Sequence, residues 1–189
     1  MGTSLKLAAG SIVVGCLVLA LKYAAYYVTG SVALYSDALE SILNVATAVA
    51  AFIAVRVSAT PPDANHPYGH QKAEYLSAIA EGVLILVAAL AIFYAAYRGI
   101  LRPRPLEAPL KGLLINAGAS SINAAWYFIL LKAGQKLRSP ALIADAKHLW
   151  TDVVTSAGVL VGVALVWLTD QPILDPLIEI GRASCRERV

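Results

Sequence analysis

Asp37, Glu40 and Asn44 stand at helical spacing in one apolar stretch, and Asp145, His148 and Asp152 stand at the same spacing in another, 108 residues on. Residues at i, i+3 and i+7 share one face of a helix, so each triplet forms a column of side chains able to coordinate a cation. If the columns face each other, Glu40, Asn44, His148 and Asp152 converge on one point. One imidazole, two carboxylates and one amide oxygen are a four-ligand set suited to a first-row divalent ion. With His148 neutral, Glu40 and Asp152 supply two negative charges that would neutralise such an ion in a low-dielectric site, and without the ion the same charges attract protons. Ligands must be deprotonated to bind metal, so binding releases protons. A site of this kind that opened alternately to two sides of a membrane would exchange metal for protons.

The elements that carry these columns are related. Laying 31–55 over 139–163 gives identities at Ser31, Ala33, Leu34, Asp37, Ala38, Val45, Thr47 and Val55. Internal repeats of this sort are frequent in transporters. The chain has 59% hydrophobic residues, 14% charged residues and a mean hydropathy of +0.69 over 189 residues, which marks a membrane protein. Apolar stretches that meet the roughly 20 residues needed to cross a bilayer are expected at 5–28, 32–57, 75–97, 113–131 and 142–168, with a sixth starting at Ile173. Backbone polar groups in lipid must be satisfied within the segment, so the fold class is an all-α polytopic helical bundle. No cleavable signal peptide interrupts the first span.

A carboxylate at mid-bilayer costs roughly 2.5 to 3.5 kcal/mol on insertion scales, which makes Glu40 and Asp152 functional candidates. The plainer alternative is that they form structural ion pairs with Lys22 or Lys147, or that His148 is a helix-packing histidine. Glu81 in the third span is read as a proton relay or a packing or cavity-lining group. Asn116, Ser120, Ser121 and Asn123 in the fourth span are read as packing and interhelical hydrogen-bonding residues. The Tyr and Trp residues, among them Trp126 and Tyr127, are read as interfacial or packing groups. Asp63, His66 and His70 cluster in the loop Thr60 to Gln71 and form a second metal signal, with a bracing role for the histidines as the alternative. Neither Cys16 nor Cys185 points to a disulfide or a cysteine metal site.

Residues 1–178 are read as the transmembrane domain and 179–189 as a non-native tail, whose text, EIGRASCRERV from Glu179, turns abruptly from apolar helix to charge and resembles a translated sequencing adapter. Part of the +3 net charge lies in that tail, so no nucleic-acid partner follows from it. Among the loops, Lys6, Arg56, Lys72, Lys132, Lys136 and Arg138 fall on one side, against Arg98, Arg102, Arg104 and Lys111 on the other, a bias that favours a cytoplasmic amino terminus.

The segments SDALESILN, PPDANHPYGHQKAEYLSA and DAKHLWTDVVTSAGVLVGV together resemble the cation diffusion facilitator family, from about Leu5 to Leu177. The resemblance implies a six-helix bundle, here with its last helix incomplete, both termini in the cytoplasm, a homodimer, and export of divalent metal in exchange for protons across a bacterial inner membrane. It implies a tetrahedral transport site from the second and fifth helices, which falls on Glu40, Asn44, His148 and Asp152, and a loop site on Asp63, His66 and His70. Asp37 and Asp145, one turn away, would line the exit or hold hydrogen bonds to the ligands, with helix packing as the alternative. Zinc exporters of the family carry Asp or His, then Asp, where this chain has Glu40 and Asn44, so the metal stays open among zinc, ferrous iron, cobalt and manganese, with His148 arguing against magnesium. The family's cytoplasmic carboxyl-terminal domain is absent from the sequence. No organic cofactor and no enzymatic activity are expected. The rival readings are a non-transporting metal-binding or sensor protein and a membrane metalloenzyme, for which the spans supply no further catalytic constellation.

Overall fold

In the computed structural model the described residues, 2–63, 66–101 and 108–169, form five long helices: α1 (Thr3–Thr29), α2 (Val32–Ser58), α3 (Lys72–Leu101), α4 (Pro109–Leu137) and α5 (Pro140–Thr169). Side chains within α3 are described only in part, and those of Glu81 and the start of the sixth span lie outside the described residues. All five helices are long and apolar enough to cross a membrane. They overrun the apolar stretches at some ends, with α3 starting at Lys72 and α4 running from Pro109 to Leu137, because turn chemistry rather than apolarity stops a helix.

Two hairpins are built by the same device. Gly30 ends α1 in the left-handed region (φ 67°) and donates its N–H to the Tyr26 carbonyl at 2.8 Å. Ser31 then caps α2, its hydroxyl accepting from the Leu34 N–H at 3.2 Å. In the second hairpin Arg138 takes the left-handed position (φ 52°), and Ser139 Oγ accepts from the Leu142 N–H at 3.5 Å. The identities Ser31/Ser139, Ala33/Ala141 and Leu34/Leu142 thus encode a turn followed by an N-cap.

Buried clusters fix how the hairpins meet. Ala33 and Leu34 near the start of α2 pack with Val159 and Val163 late in α5, while Ala51 and Val55 late in α2 pack with Ala141 at the start of α5. Ala8 of α1 packs with Leu130 of α4, and Ala25 with Leu113. Both helix pairs therefore run antiparallel, and the hairpin α1–α2 is inverted relative to α4–α5. The step from Ala33 to Ala51 matches the step back from Val159 to Ala141, a register that sets Glu40 level with Asp152 and Asn44 level with His148. The repeat carries Glu40 onto His148 and Asn44 onto Asp152, so the two level pairs are images of each other. An inverted repeat is the arrangement that places a site at the middle of a bundle.

Small residues permit the close approach. A Cβ at Gly10 would meet the Trp126 ring at 2.7 Å, and one at Gly112 would collide with Thr29. Polarity is reversed relative to a water-soluble bundle. Lys22, Asp37, Glu40, Asn44, Asn123, His148 and Asp152 are buried, while Val13, Leu86, Leu90, Phe93 and Leu168 face outward, as lipid requires.

Candidate metal centre

Asp37, Glu40 and Asn44 lie on the buried face of α2, and Asp145, His148 and Asp152 on that of α5, none more than 4% exposed. Helical spacing in each strip, combined with the register set by the alanine and valine contacts, turns both columns inward. Ligand oxygens of Asp37, Glu40 and Asp152 all lie within 4.8 Å of one another. The structure thus brings Glu40 and Asp152 together and adds Asp37, placed by the sequence at the exit or among supporting groups. Asn44 and His148 sit one turn further along the same faces, and His148 is not part of that 4.8 Å group. Both amide atoms of Asn44, 3% exposed, have no hydrogen-bond partner among the described residues. Leaving such a group unsatisfied costs about 1 to 3 kcal/mol, so an amide oxygen held there is suited to a ligand that the protein itself does not provide.

Lys22 of α1 closes the cluster. Fully buried, its ammonium donates to Asp152 Oδ1 and Oδ2 at 2.8 and 2.9 Å, to Asp37 Oδ1 at 3.1 Å and to Ser156 Oγ at 2.9 Å. The ion-pair alternative posed by the sequence is therefore realised for Lys22 and Asp152, whereas Lys147 is exposed. Ser156 donates in turn to Asp37 at 2.9 Å, Asn123 donates to Asp152, and Thr155 lies 3.5 Å from Glu40. Asn123, read from the sequence as a packing and interhelical hydrogen-bonding residue, makes that hydrogen bond to a candidate ligand. Lys22 carries a signal in the sequence: it is an ionisable residue inside the first span, where such residues mark pathways or partners. Ser156 had none beyond its position one turn after Asp152.

Asp145 is also buried, and its neighbour is Ser11 of α1, whose hydroxyl accepts from Trp126 Nε1 at 2.9 Å. That places it against α1 and α4 and away from the acidic cluster. Trp126 accordingly serves as a packing and hydrogen-bonding group.

The loop between α2 and α3 gathers its three residues through local turns. Asp63 Oδ1 accepts from the His66 N–H at 2.7 Å and lies 3.1 Å from His66 Nδ1, while Asp63 Oδ2 lies 3.6 Å from His70 Nε2. The two imidazoles lie with ring centroids 4.3 Å apart and planes tilted by 42°, and Gly69, at φ 79°, turns the chain between them. Ligand atoms of all three residues fall within 4.8 Å of one another at the protein surface. Beyond this loop, Glu74 braces three elements: its carboxylate accepts from Ser58 of α2 at 2.8 Å, from the Ser139 hydroxyl, and from the Ala141 N–H at 3.4 Å at the start of α5. Nothing in the spacing of Glu74 announces that contact.

Residues 9–184 match the model of the cation efflux transmembrane domain. The chain is 51% identical over 161 residues to an uncharacterized transporter of Synechocystis sp., covering 85% of this chain and 52% of that protein. It is 32% identical over 162 residues to the cation-efflux pump FieF of Cronobacter sakazakii, covering 86% and 54%, and 32% identical over 149 residues to that of Klebsiella pneumoniae, covering 79% and 50%. The chain spans about half the length of these relatives.

Proposed function

The chain belongs to the cation efflux family, and on that premise we propose that it is the ion-translocating bundle of a divalent-metal exporter. The observation that carries the reading is the meeting of Glu40 and Asp152, buried across the α2–α5 contact more than two turns inside the start of each helix. Two carboxylates there would be a liability in lipid unless a cation offsets them. The transport ligands in this reading are Glu40, Asn44, His148 and Asp152. The unsatisfied amide of Asn44 and its register with His148 support the second level of the site. Cargo is a borderline divalent ion, among zinc, ferrous iron, cobalt and manganese, since an imidazole joins the oxygens.

Metal leaves as protons enter, and the inverted hairpins supply two arrangements of one site for alternating access. The amino terminus, the Asp63–His66–His70 loop and the α4–α5 turn face the cytoplasm, where the loop site takes up metal, and the domain works as a homodimer. Relatives named as cation-efflux pumps support export as the direction. Zinc uptake into proteoliposomes, with the interior at lower pH than the bath, tests the coupling. The proton gradient accelerates uptake in this account, and transport indifferent to the gradient would contradict antiport.

A further inference from the structure

The geometry points to Lys22 as an internal stand-in for the transported ion: its ammonium holds Asp152 when metal is away and retires onto Asp37 when metal arrives. This inference rests on the transport-site reading above and adds to it a residue from α1 that sets the affinity of the site.

The lysine ammonium has three N–H donors, yet four acceptor atoms lie within 3.1 Å of Nζ: both oxygens of Asp152, Asp37 Oδ1 and Ser156 Oγ. Releasing Asp152 therefore does not strand the buried charge, because Asp37 and Ser156 remain to satisfy it. Asp37 is tied to Ser156 by a further hydrogen bond, so the receiving pair is already assembled. Charge points the same way. Asp37, Glu40 and Asp152 carry three negative charges when ionised, and a divalent ion together with one ammonium balances them. Without Lys22 the ion would leave one carboxylate uncompensated, and without Asp37 the displaced ammonium would remain uncompensated beside the ion. Breaking a buried pair by removing one partner is strongly destabilising, so the two residues make sense as a pair. The lysine also breaks the symmetry of the repeat. The position equivalent to Lys22 in the second hairpin is Leu130, packed among Ala8, Leu142, Ala146 and Leu149 on the His148 side. A competing cation is thus provided at one level of the site only, that of Asp152.

The test is zinc binding at equilibrium, by titration calorimetry on the purified chain in detergent, through a cycle of Lys22→Met and Asp37→Asn. A site that the lysine fills nine-tenths of the time binds metal about tenfold more weakly than the same site set free. Lys22→Met is expected to lower the Kd for zinc by about that factor. Asp37→Asn is expected to weaken binding when Lys22 is present and to have no weakening effect once residue 22 is Met. Should the single Lys22→Met variant not fold, the double variant decides, and it must bind zinc more tightly than Asp37→Asn alone. Unchanged or weaker binding on removing Lys22 would overturn the proposal, as would an equal loss from Asp37→Asn in both backgrounds, which would make Asp37 a ligand. Full zinc binding by Asp152→Ala would instead refute the transport-site reading itself.

Discussion

At the scale of single residues, charge decides the behaviour of the site. Glu40 and Asp152 meet across α2 and α5 with Asp37 beside them, and Lys22 bridges Asp37 and Asp152. Asn44 is the neutral member of the proposed ligand set, and its amide is buried without a hydrogen-bond partner among the described residues. Asn44→Asp adds a negative charge beside the incoming ion. Zinc should then bind about tenfold more tightly, a change of roughly 1.4 kcal/mol, with slower release limiting transport; titration calorimetry and vesicle efflux rates check the two halves. The columns themselves were legible in the sequence, because a 3.6-residue period places Asp37, Glu40 and Asn44 on one face without reference to any other helix. Lys22 was legible only as an ion-pair alternative. Its partner Asp152 lies 130 residues away, and no local pattern encodes that distance.

At the scale of elements, short capping motifs and small residues determine how the hairpins close. Ser31→Ala removes the cap of α2 and should cost about 1 kcal/mol, read as a lower midpoint in thermal unfolding with the rest of the bundle unchanged. Glu74 has a larger reach, since one carboxylate joins the end of α2, the start of α3 and the start of α5. Glu74→Ala leaves the Ser139 hydroxyl and the Ala141 N–H without that acceptor. Hydrogen exchange at the first turn of α5 should accelerate, while exchange in the middle of α5 stays slow. The five helices were readable from apolar length, as lipid imposes it. Their ends were not, because Gly30, Arg138 and the two cap serines set them rather than hydropathy. Asp37 joined the cluster through Ser156 and Lys22, contacts between elements that spacing alone does not specify.

At the scale of the whole molecule, the inverted pair of hairpins gives the bundle its logic. Register and repeat together make the Glu40–Asp152 and His148–Asn44 levels images of each other, so one duplicated sequence supplies both levels of the proposed site. The repeat could be read directly from the sequence; its inversion required the antiparallel contacts Ala33 to Val159 and Ala51 to Ala141. The fold puts Lys72 and Lys136 at the same end as the amino terminus and Lys111 at the other. In a Cys16→Ser, Cys185→Ser background, single cysteines at 72 and 136 should be blocked by a membrane-impermeant maleimide only from the cytoplasmic face, and one at 111 only from outside. The reverse pattern would overturn the proposed orientation and, with it, the direction of export.

The most direct test of a metal path between α2 and α5 is zinc uptake into proteoliposomes carrying a trapped fluorescent indicator. The wild-type chain is compared with His148→Ala and Asp152→Ala at matched protein content and matched helicity. This account predicts that both variants fall to the rate of protein-free vesicles. Uptake by both at the wild-type rate would contradict it.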